Sequence, residues 1–114
     1  MSIEGLWTAS MSAPGEFGAG VIVFETGRVF GGDSSMYYTG SYQVDGGKVT
    51  GWLRVRKHHH VPQLVPFAGM DDAEFEIRAT IESDKKMKYV ATVISPKTGK
   101  QVLGELNKLD ELPG

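Results

Sequence analysis

Taken two residues at a time, the segment AEFEIRATIES (residues 73–83) separates its apolar from its polar positions. Phe75, Ile77, Ala79 and Ile81 fall on one side, and Glu74, Glu76, Arg78, Thr80 and Glu82 on the other. Successive side chains of a strand point to opposite faces, so this alternation predicts a half-buried β-strand. KMKYVATVIS repeats it with Met87, Tyr89, Ala91 and Val93 after the turn SDKK. QVLGELNKL follows the turn PKTGK, with Val102, Leu106 and Lys108 alternating with Leu103 and Glu105. The first half reads the same way. IEGLWTASM places Ile3, Gly5, Trp7 and Ala9 on one face, and after SAPGE come FGAGVIVFE, RVFGG, MYYTGSYQV and KVTGWLRVRK. Thr26-Gly27 and DGGK punctuate these runs as tight hairpins. In KVTGWLRVRK, inward Val49, Gly51, Leu53 and Val55 leave Trp52 pointing out.

About eight strands joined by short turns want antiparallel neighbours and can close into an up-and-down barrel. Glycines within the runs (Gly18, Gly20, Gly40, Gly51 and Gly104) suit the coiling that closure demands. The expected fold is all-β, an antiparallel up-and-down barrel, with a two-sheet sandwich as the other arrangement. One connection breaks the pattern: HHHVPQLVPFAGMDD carries two prolines and predicts a longer loop or short helix near residues 61–72. Residues 1–110 are expected to form the barrel and 111–114 a tail.

A chain of 114 residues can bury one core without covalent help. The absence of cysteine excludes disulfides, thiolate metal sites and cysteine nucleophiles. A net charge of −2 supplies no field that would draw the protein to nucleic acid or an acidic membrane. The first residues, MSIEGLWTASMS, lack the basic and apolar regions of a secretory signal, and no run is long enough to span a membrane as a helix, so a cytoplasmic location is expected.

Candidate chemistry is sparse. His58, His59 and His60 are adjacent, so an extended backbone places His58 and His60 opposite His59. One metal would then need a bend plus outside ligands such as Asp71, Asp72 or Glu74, and a solvated strand end is the simpler reading. Protonation of the triplet beside Arg56 and Lys57 would add repulsion to any interface there. Asp33 in GGDSS reads as a turn former whose carboxylate accepts from backbone N–H groups two residues on. GEFGAG lacks the spacing and lysine of a phosphate loop and runs into a strand. No catalytic constellation, cofactor or metal is expected, and the chain reads as a non-enzyme. Trp52, Arg54, Arg56, Lys57, His58 and His60 form a possible protein-contact surface, preferred over nucleic acid because the charge balance is acidic. Inside, Trp7, Leu53, Phe75, Ile77, Ala79, Tyr89 and Ala91 are the possible lining of a cavity for one apolar small molecule. The same aromatics could equally fill the space.

GLWTA has the Gly-x-Trp form of lipocalin-type barrels, with Gly5 and Trp7 as the matching positions. A more extended likeness runs through GEFGAGVIVFETGRVFGGDSSMYYTGSYQVDGGKVTGWLRVRKH, a Pro-containing loop and FEIRATI. This stretch resembles the GrlR-type negative regulators of type III secretion. The likeness rests on Gly18, Gly20, Gly31, Gly32, Asp33, Tyr38, Gly40 and Pro62. It implies a lipocalin-like barrel, a homodimer, and a cytoplasmic bacterial regulator that binds a transcriptional activator protein. The chain departs from the family at one place: Val44-Asp45-Gly46-Gly47-Lys48, with a single acid, stands where the family's best-known regulator has a Glu-Asp-Glu-Asp surface motif.

Overall fold

In a computed structural model of the chain, which describes residues 2–11, 19–60 and 71–114, the alternating runs become eight strands. These are β1 (Gly5–Met11), β2 (Ala19–Glu25), β3 (Arg28–Gly32), β4 (Met36–Asp45), β5 (Lys48–Lys57), β6 (Asp72–Ser83), β7 (Lys86–Ser95) and β8 (Gln101–Asp110). Each pairs antiparallel with the next, and β1 pairs with β8, so the sheet closes as a barrel and leaves no free edge. The closed up-and-down order is lipocalin-like, and it excludes the sandwich. The described residues contain no helix; the expected loop or short helix at 61–70 lies outside them.

Turn chemistry sets the register. Thr26 and Gly27 both have positive φ, 50° and 78°, which matches the two-residue hairpin whose twist suits antiparallel strands. With Glu25 thereby opposite Arg28, Phe24 faces Val29 and both point inward. The same level continues round the barrel through Gly40, Leu53, Phe75 and Val93, each opposite the last. A slip of one residue in any hairpin would exchange this row for its charged neighbours.

The core follows the predicted faces. Trp7, Phe75 and Met87 are fully buried, and Val49, Val55, Ala79, Ala91, Val93, Val102 and Leu106 are buried beside them. Leu103, on the outward row of β8, is exposed as the alternation requires. At one end Trp7 meets Phe24 edge-on at 6.0 Å between ring centroids, and Phe24 meets Tyr42 at 5.1 Å. The indole N–H donates to the Ile3 carbonyl at 2.9 Å, so burying Trp7 strands no donor. The Gly-x-Trp pair gains a physical reason here. Gly5 has φ +149°, and a Cβ on it would lie 2.9 Å from the Asp110 carbonyl oxygen.

Truncating Phe75 to alanine is expected to cost about 3–5 kcal/mol in urea unfolding, since the ring is fully enclosed. Leu103→Ala, on the wet face, should stay within about 0.5 kcal/mol of the parent. Similar losses at the two positions would mean that inside and outside are assigned wrongly.

Candidate binding cavity and outer face

The inward side chains do not fill the barrel. A cavity of about 190 Å3 remains, bordered among the described residues by Ile22, Phe24, Val29, Leu53, Phe75 and Leu106 together with smaller groups at Ala9, Ala79 and Ala91. Of the seven residues expected to line it, Leu53, Phe75, Ile77, Ala79, Tyr89 and Ala91 do so. Trp7 does not: it is buried on the far side of Phe24, because its ring is committed to the Ile3 end of the barrel.

Among the described residues, polar side chains of the wall gather at the turn between β3 and β4, with the Tyr89 hydroxyl opposite. The turn between β3 and β4 is built by Asp33, whose Oδ1 accepts from the backbone N–H of Ser35 (2.9 Å) and of Met36 (2.8 Å). This is the turn-forming role expected from GGDSS. Sequence reasoning missed the other oxygen: Oδ2 accepts the Tyr38 hydroxyl, which lies in the cavity wall. The spacing Asp-x-x-x-x-Tyr carries no general signal for such a pair. Across the barrel Tyr89 donates its hydroxyl to the Ser10 carbonyl at 3.0 Å.

Both rings need glycine partners. A Cβ on Gly20 would lie 2.6 Å from the Tyr38 oxygen, and one on Gly104 would lie 2.7 Å from that of Tyr89. Gly20 pairs with Ala9 of β1 and Gly104 with Met11, so the two phenols converge on the end of β1 from either flank. Burial pushes the Tyr89 phenol up to about 12, and burial plus the hydrogen bond and charge of Asp33 hold Tyr38 still further above the usual range.

Two of the three histidines serve this turn. The backbone N–H groups of His58 and His59 donate to the Ser35 carbonyl at 2.8 and 3.3 Å, and His58 Nε2 lies 3.0 Å from the Asp33 carbonyl oxygen. A carbonyl can only accept, so that nitrogen carries the proton. Two of the three acids that could have completed a metal site, Asp71 and Asp72, are engaged by cations. Arg54 grips Asp72 through two hydrogen bonds of 3.2 and 3.1 Å, and Lys57 Nζ lies 3.4 Å from Asp71. Among the described residues no three His, Asp or Glu side chains converge on a metal position.

On the outside, Trp52, Arg54 and Arg56 share the outward row of β5, as the alternation requires, while Lys57 ends the strand and His58 and His60 are exposed beyond it. Phe30, Tyr37 and Trp52 present aromatic rings to solvent at 38–39% exposure, far above the buried core. Phe30 was not among the expected surface residues; it is placed there by the pairing Phe30–Thr39–Arg54 across β3, β4 and β5. Among the described residues no helix is long and apolar enough to cross a membrane.

Because both phenols are held neutral by burial, stability should be fully present below pH 10.0, the ordinary phenol value, and decline as pH climbs toward 12, where the unfolded chain ionises and the folded one resists. The urea midpoint should fall between pH 8 and 11, and Tyr89→Phe should flatten that slope. An unchanged slope would show that Tyr89 is not desolvated. A scan against protein-family models finds none that matches this chain, and a search among curated proteins finds no match.

Proposed function

We propose that this chain is a non-enzymatic bacterial regulator of the GrlR type, acting by protein–protein contact as a homodimer with a transcriptional activator as its partner class. Among the described residues that carry the family likeness, three have a joint structural duty: Asp33 and Tyr38 bond to one another, and Gly20 makes room for Tyr38.

The observation that supports a contact function most directly is the outer face of β3–β5. Three exposed aromatics share this face with Arg54, whose guanidinium is already oriented by Asp72. Exposed aromatic and arginine groups are enriched where proteins bind, since their large areas are desolvated with little loss of rotamer freedom. A second copy of the chain suits this face. Under a two-fold axis a surface meets itself, and here cations of β5 (Arg54, Arg56) stand beside acids of β6 (Asp72, Glu74), so the charge pattern is self-complementary.

Sedimentation velocity tests the reading. Trp52→Ala should weaken self-association by about 30-fold or more, the effect of losing a central aromatic anchor, and Arg54→Glu should yield monomers with the β-sheet circular dichroism intact. A parent protein that is monomeric at every accessible concentration, or dimers unaffected by both changes, would overturn the assignment of this face.

A further inference from the structure

The outer-face reading leaves the cavity without a role, and the chemistry of its wall is selective. Among the described residues most of the lining is hydrocarbon, and the polar exceptions that are buried are three hydroxyl groups: Tyr38, Tyr89 and Ser35. Each has its proton directed into the protein. Tyr38 donates to Asp33 Oδ2, Ser35 Oγ lies 3.4 Å from Asp33 Oδ1, and Tyr89 donates to the Ser10 carbonyl. A hydroxyl has one proton and two lone pairs, so a hydroxyl that has donated can still accept. The remaining hydroxyls of the lining among the described residues are on half-buried Tyr42 and on exposed Ser34 and Ser41. The buried polar wall is therefore rich in acceptors, poor in donors, and anchored on a carboxylate.

We infer that this cavity binds a small, predominantly apolar molecule whose single polar head is a hydrogen-bond donor, of the alcohol or phenol class, and that it rejects carboxylates. A hydroxyl head placed by Tyr38 and Tyr89 gives its proton to their free lone pairs. A carboxylate head finds no free proton there, sits near the Asp33 charge, and loses its water without replacement. The volume sets the tail. About 190 Å3 is comparable to the engineered cavity of about 150 Å3 that accommodates benzene and lies below the roughly 300–1,000 Å3 of drug-sized sites. A six-carbon tail suits this volume.

Two probes that share a tail and differ in the head decide the matter. Titrations of the full chain with n-hexanol and n-hexanoate at pH 7, followed by calorimetry and by the methyl NMR signals of Ala9, Ala79 and Ala91, should show saturable binding of the alcohol. The carboxylate should bind at least ten-fold more weakly. Equal or tighter binding of hexanoate, or no saturable binding of hexanol, overturns the inference. Tyr89→Phe removes one acceptor while keeping the ring, so hexanol should weaken by about five-fold, the worth of one neutral hydrogen bond, and benzene should be unaffected. A variant that binds hexanol as the parent does would refute the assigned head contact. Should that variant not fold, Ala79→Leu fills the same space from β6, and hexanol binding that survives it would place the ligand outside the barrel.

Discussion

Everything in this molecule depends on β1 finding two partners at once. Its pairing with β2 is local, formed across a short stretch of chain, but its pairing with β8 joins residues about a hundred positions apart, as Ala9 with Leu106 and Met11 with Gly104 show. Only that distant ladder turns a twisted sheet into a closed surface with an interior. Closure gives the alternation in every strand a fixed meaning: one row faces a common core, and the other faces water. It also encloses a volume that side chains then fill or leave open.

The interior is left partly open because two large polar rings are held against the wall. Tyr38 and Tyr89 extend over Gly20 and Gly104, and each donates its hydroxyl proton to a fixed acceptor. A phenol buried without such a partner would be costly, and a phenol free to rotate would turn its proton into the cavity. The arrangement thus commits both phenol protons to the protein frame.

The same economy governs the far end of β5. A cluster of histidines, arginines and aspartates could be mistaken for a metal or catalytic centre, yet its members are distributed over two structural tasks. The acids are held by Arg54 and Lys57, and His58 secures the Asp33 turn that in turn positions Tyr38. The exposed ion pairs contribute little to stability, of order 0–1 kcal/mol each, so their importance is in orienting charge on the outer face. The strand end and the cavity wall are linked through one turn.

Much of the fold was legible in the sequence because alternation and turn residues are local properties. AEFEIRATIES could bury Phe75 and Ala79 only by exposing Glu76 and Arg78, and Thr26-Gly27 could close only a tight hairpin. The inward set, the outward Trp52 and the turn role of Asp33 all follow from neighbours a few residues away. What remained hidden is set by pairs distant in sequence. Whether the inner aromatics fill the barrel depends on how far each ring reaches across it, and Trp7 is drawn away from the cavity by Ile3 and Phe24. Phe30 joins Trp52 on the outer face only through the register of three strands. The chain by itself determined eight strands and which residues each would bury, since side-chain direction alternates with the backbone. The tertiary structure alone decided where the empty space lies and which hydroxyls face it, since both depend on strands that meet only when the barrel closes.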